Sequence, residues 1–190
     1  MGRALARRTV VLVEGRSDRL ALERLADRLG HDLTVAEVEI VDVGGVTNFR
    51  SHLMRFGPMG ENLRLAGLCD AGERQIVLRA LQGAGVADHL TPDAMASLGF
   101  FVCEGELEDE LLQAVGVPAM LRIIEQNGDL PRFRTMQRQL VYRAASVETQ
   151  VRYLMTQKKI AYAPHIIDAL DLARVPNVLS AVLDFAMERP

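Results

Sequence analysis

The chain has 190 residues, 49% of them hydrophobic and 25% charged, a balance that excludes a disordered polymer. A chain of this length can bury roughly 70% of its unfolded surface without disulfide staples. Its net charge of −3 excludes a generally basic nucleic-acid coat but allows a local basic groove. No apolar run approaches the ~18–20 residues of a membrane span, so no membrane association is expected. The basic start MGRALARR leads into an apolar stretch of only five residues that runs into Glu14. That is too short for a signal-peptide core, which predicts a cytoplasmic protein. Cys69 and Cys103 lie in apolar surroundings with no CxxC or histidine spacing, so buried free thiols are expected.

Residues 9–15, TVVLVEG, form an apolar run that suits a strand buried on both faces. Ser17 is placed to cap a helix reaching Leu29, where Gly30 stops it. Residues 37–45, EVEIVDVGG, predict a second strand closed by a glycine turn, with a helix near 48–56 after it. Residues 63–70, LRLAGLCD, are a third strand, 74–85 a third helix, and 98–105, LGFFVCEG, a fourth strand. Strands alternating with helices point to βαβ units and a parallel sheet. After Val117 only helical patterns remain: PAMLRIIEQNG, FRTMQRQLVYRAA, VETQVRYLMTQ, IAYAPHIIDALDLA and NVLSAVLDFAME. The expected organisation is an α/β unit over 1–115 and a helical extension over 116–190 packed on it. The strongly apolar 175–187 could complete the core or form a homodimer seam.

Ligands of open parallel sheets bind beyond the carboxyl ends of the strands. With strand order 2-1-3-4, Glu14 after strand one and Asp70 after strand three converge there, with Glu104, Glu106 and Glu108 near the end of strand four. Asp18 follows Glu14 by one helical turn. Carboxylates gathered from separate strand ends suit a hard cation such as Mg²⁺. Acids also follow strands because loops are wet and helix N-termini favour negative charge, a reading that weighs more on Asp18, Glu106 and Glu108 than on Glu14 with Asp70. Of the 22 basic residues, all but Lys158 and Lys159 are arginine. A codon preference explains most of that bias, yet a compact ammonium pair also suits a phosphate oxygen.

VLVEGRSDRLAL, then GG at 44–45, LCDAGE and GELED together resemble the TOPRIM domain, and within it the version in the OLD (overcoming lysogenisation defect) family of nucleases. The resemblance covers about residues 9–112, and more weakly 157–170. It implies a four-stranded, mainly parallel, Rossmann-like sheet flanked by helices, and divalent-metal-dependent nuclease or nucleotidyl-transfer chemistry with Mg²⁺ or Mn²⁺. Carried over by position, Glu14 and Asp18 match the acids of EGxSD, Asp70 the first aspartate of DxD, and Glu108 the later Leu-Glu acid. Lys158 or Lys159 matches the tail lysine. The second aspartate of DxD is replaced by Gly72, which removes a metal ligand unless Glu73 reaches round. The chain carries no P-loop motif, so the ATPase that accompanies TOPRIM in full OLD proteins is expected as a separate partner.

On this reading Glu14 and Asp70 hold the metal, and Glu14 is also a candidate acid or base. A tail lysine neutralises charge developing on the phosphate. Arg132, Arg134, Arg138 and Arg143, interleaved with Phe133 and Tyr142, are candidates for phosphate contacts to nucleic acid, DNA in the first instance. A solvated helix face explains the same arginines. A receiver-like phosphoacceptor domain lacks the acidic pair after strand one that it needs. A catalytically degenerate TOPRIM-like binding module, serving a partner ATPase or nuclease, is the standing alternative. His31, His52, His89 and His165 show no ligand spacing.

Overall fold

The computed structural model describes residues 8–88 and 90–188. The basic start at 1–7 and His89 lie outside the described residues. Four parallel strands, β1 (Thr9–Val13), β2 (Val38–Asp42), β3 (Arg64–Cys69) and β4 (Phe100–Val102), form one sheet in the order β2-β1-β3-β4. β1 is buried along its whole length. Val11 and Val13 face one layer of helices while Val10 and Leu12 face the other, which is why its sequence is apolar without alternation.

Helices α2 (Phe49–Phe56) and α3 (Arg74–Gly83) cover one face through Phe49, Leu53, Val77 and Leu81. The other face carries α1 (Arg16–Leu29), α4 (Leu107–Gln126), α6 (Val147–Ala169) and α7 (Asn177–Met187), with α5 (Leu130–Gln137) packed at α4. Leu22, Leu111, Met155, Tyr162 and Leu183 share one continuous core there, so residues from both predicted halves fill it. α7 buries Leu179, Val182, Leu183 and Ala186 against the sheet; the apolar tail completes the core.

Several local expectations are corrected. The first helix is capped by Gly15, not Ser17: Ser17 is already inside it and buried, and Asp18 reaches back to the Gly15 N–H. Gly30 ends that helix in the left-handed conformation, φ 77°, as expected. The arginine-rich segment is helical only to Gln137, and 138–145 are turns pinned by the Gln150 amide, which donates to the carbonyls of Tyr142 and Ala145. The two helices expected around QKK are present as the two arms of α6, which meet at a break at Lys158 (φ −132°, ψ 20°), and Pro164 lies inside the second. Its last turn needs no glycine, because the Arg28 guanidinium donates to the carbonyls of Ile167 and, at 2.6 Å, Leu170. α4 is broken at Gly116, next to the boundary expected from the sequence. Cys69 and Cys103 are free and buried, and burial pushes the Cys69 thiol up to about 12. No helix among the described residues is long and apolar enough to cross a membrane.

Candidate metal centre

Parallel register brings the ends of β1 and β3 to one edge. Leu12 pairs with Gly67, so Glu14 and Asp70 emerge on adjacent strands, whose spacing is about 4.8 Å, at the carboxyl edge of the sheet. The turn through Gly44 and Gly45 supports this edge, the Gly45 N–H donating to the Glu14 carbonyl. Burial raises the pKa of the Glu14 carboxyl, Glu73 and Asp18 add repulsion, and Lys159 opposes them. Burial also pushes Asp70 up to about 7, against the pull of the Leu107 N–H that its Oδ1 accepts at 3.0 Å. That hydrogen bond fixes the start of α4 and thereby sets Glu108, its second residue, at the cleft.

Asp18 accepts the Gly15 N–H at 2.9 Å and the Ser17 hydroxyl at 3.2 Å, and burial raises its pKa despite both. Glu108 is 8% exposed. Its Oε1 lies 3.5 Å from Lys159 Nζ, and Asp18, Glu108 and Lys159 line one small cleft. Burial works against the Lys159 ammonium, but Glu108 and then Asp18 outweigh it and raise its pKa. Glu73 stands at the end of the short turn after Asp70, and its Oε2 is buried with no hydrogen-bond partner among the described residues. Gly72 is exposed, and a Cβ added to it would meet nothing within 4 Å.

Among the described residues no three His, Cys, Asp or Glu side chains form a group that could hold a metal ion as they stand. Asp18 and Asp70 are drawn onto backbone N–H groups and Glu108 onto Lys159. The donor chemistry nevertheless fits a hard divalent cation. It consists of carboxylate oxygens that raise one another's proton affinity, with one buried oxygen left unpartnered.

The remaining candidates separate. Of the two lysines offered for the site, Lys158 is turned away: its Nζ lies 2.6 Å from Asp129 Oδ1, and Asp129 Oδ2 accepts the Tyr162 hydroxyl at 2.7 Å. Glu104 and Glu106 are exposed rather than gathered in. Glu106 lies 3.9 Å from Arg152, whose guanidinium also binds Asp109 and so ties α6 to the start of α4. Arg132, Arg134, Arg138 and Arg143 are all exposed, on α5 and the turns after it. Phe133 is buried in the core and Tyr142 packs on Tyr153, ring centroids 4.5 Å apart, so neither stands free between the arginines. Nothing in the sequence singles out Asp129, Tyr162 or Arg152. The one hint at the first is an aspartate after an Asn-Gly turn, and that pattern reads as an ordinary helix cap.

Residues 7–62 match the family model described as the TOPRIM domain of overcoming lysogenization defect protein-like sequences. The fold is also similar to solved structures of the C-terminal region of the Xanthomonas campestris pv. campestris OLD protein. One, phased with mercury, is 26% identical with a TM-score of 0.73 and coverage of 95% of each chain. Another, phased with platinum, is 26% identical with a TM-score of 0.75, covering 95% of this chain and 92% of that one. The C-terminal region of the Burkholderia pseudomallei OLD protein shares the fold at 21% identity, with a TM-score of 0.73 over 95% and 97% of the two chains. The fold is that of an OLD-type TOPRIM domain. No protein of curated function matches the chain. TOPRIM domains in general bind divalent metal ions and serve metal-dependent chemistry on nucleic acids. The matched stretch of this TOPRIM domain contains Glu14 and Asp18; Asp70, Glu73, Glu108 and Lys159 lie beyond it and are joined to them by the fold.

Proposed function

We propose that the chain is a Mg²⁺- or Mn²⁺-dependent nuclease of the TOPRIM kind acting on DNA phosphodiester bonds. The observation that carries this reading is the unpartnered buried Oε2 of Glu73, in a carboxylate cluster that also faces Lys159. Glu14, Asp70 and Glu73 would hold the ion, with Asp18 and Glu108 beside them. When bound, it would supply Lewis-acid polarisation of the scissile phosphate. Lys159 Nζ places positive charge where the phosphate oxygens gain negative charge. Glu14 moves a proton at the attacking or leaving oxygen. Arg132, Arg134, Arg138 and Arg143 hold the backbone of the nucleic acid by phosphate contacts.

Gly72 favours a second reading. It leaves the position of the second DxD acid open to solvent, as in a scaffold that binds a partner without cutting. Nicking of supercoiled DNA with Mg²⁺ or Mn²⁺, repeated with Glu14→Gln, tests the proposal. Metal-dependent nicking lost in the variant supports the nuclease; no nicking by the folded wild-type chain supports the scaffold.

A further inference from the structure

The two lysines are chain neighbours, yet they serve different acids. Lys159 faces Glu108 at 3.5 Å, inside the cleft. Lys158 is bound at 2.6 Å to Asp129, an acid that follows α4 and stands just before α5. Asp129 is itself fixed by the hydroxyl of Tyr162, a side chain with no exposed surface. Lys158 and Tyr162 are four residues apart and share one face of α6, so the carboxylate grips two successive turns. The grip falls where the helix is irregular: Lys158 has non-helical backbone angles, and Pro164, six residues on, leaves a carbonyl of that stretch without its helical donor. An irregular turn with two adjacent ammonium groups beside an acidic cleft has no local reason to send one lysine in rather than the other.

We infer that Asp129 is a positioning residue: by binding Lys158 and Tyr162 across the break in α6, it sets the turn that aims Lys159 at the carboxylate cleft. The inference rests on the metal-site reading above. It also explains why the pair is doubled, since one ammonium anchors the turn while the other faces the site. A structural ion pair alone would need neither the break nor the second lysine.

Because the chain holds only two lysines, ¹³C-lysine labelling gives two side-chain environments to follow by NMR. Mn²⁺ alone is the probe, since its paramagnetic broadening falls steeply with distance. In the wild type, the Lys159 signal should broaden at lower Mn²⁺ than the Lys158 signal. In Asp129→Asn that contrast should disappear, and nicking should slow roughly tenfold or more, given that ~1 Å of misplacement can cost 10²-fold. Lys158→Met should likewise weaken broadening of Lys159, whereas Lys158→Arg, which keeps a cation for Asp129, should restore it. The Lys158 pair serves as the test if Asp129→Asn does not fold. Selective broadening of Lys159 that survives in folded Asp129→Asn, or equally in Lys158→Met and Lys158→Arg, overturns the positioning role and leaves the metal site standing. Absence of broadening at both lysines in the wild type overturns the metal site and this inference with it.

Discussion

Lys159 meets Glu108 across the cleft at 3.5 Å, so the cation of the tail helix and the acid at the start of α4 occupy the same small space. This pairing joins the last third of the chain to the carboxyl edge of the sheet. If the site works as proposed, removing the ammonium takes charge from the side that meets the phosphate without removing a carboxylate. Lys159→Ala should therefore slow nicking on the order of a hundredfold, the scale of losing one pre-placed donor, while Mn²⁺ affinity by calorimetry stays level or rises. Wild-type rates in a folded Lys159→Ala would make the lysine a structural counter-ion.

The open space at Gly72 and the unpartnered oxygen of Glu73 give paired expectations. Gly72→Asp should strengthen Mn²⁺ binding on the order of tenfold, because ligand charge count tunes such sites. Glu73→Gln should weaken it by a similar factor. Calorimetric titrations unchanged in both variants would separate this turn from the metal.

Asp129 carries a pH signature. The hydrogen bonds from Lys158 and then Tyr162 hold its carboxyl below the ordinary value of 3.8. Folding therefore favours its ionised form. That contribution is complete above the unfolded-state value and is lost as pH falls through the lower folded-state value. Denaturant unfolding followed from about pH 6 down to about pH 2 should show a shallower acid loss in Asp129→Asn than in the wild type. Parallel curves would mean that folding does not lower the proton affinity of Asp129.

The exposed arginines act, on this account, through phosphates rather than bases. Replacing both Arg138 and Arg143 by Gln should lower the slope of log affinity against log salt by about two, one for each phosphate no longer neutralised, equally for unrelated DNA sequences. Binding assays over a range of salt concentrations check this. An unaltered slope would return these residues to a solvated surface.

The strand ends were legible in the sequence because an acid abutting an apolar strand conflicts with burial unless it has a task. Glu14 and Asp70 stand out on that ground alone, and the alternation of strands and helices was enough to place them on one edge. The interruption of α6 at QKK was legible, and the helix does break at Lys158; what was hidden is that the packing of Tyr162 and Ile166 carries the second arm through Pro164. Which lysine faces Glu108 was equally hidden, because the other, Lys158, is bound to Asp129, 29 residues before it, and no local pattern records a partner at that separation. The second half of the arginine-rich segment misled because its composition suits a helix, whereas the backbone of 138–145 is held in turns by one glutamine amide from α6.

The break at Gly116 gives α4 a pivot. Its φ of 77° with ψ of 159° belongs to a region almost closed to other residues, where a side chain costs ~1–3 kcal/mol. Ahead of the pivot, the first arm presents Glu108 and is clamped by Asp70 at the Leu107 N–H. Behind it, the second arm seats Ala119, Met120, Ile123 and Ile124 in the core. A straight helix would let core packing dictate the direction of the acid like a rudder fixed to its hull. With the pivot, Leu107, Leu111 and Leu112 seat the first arm in a direction of its own, and the clamp at the strand end adds to that packing in aiming Glu108.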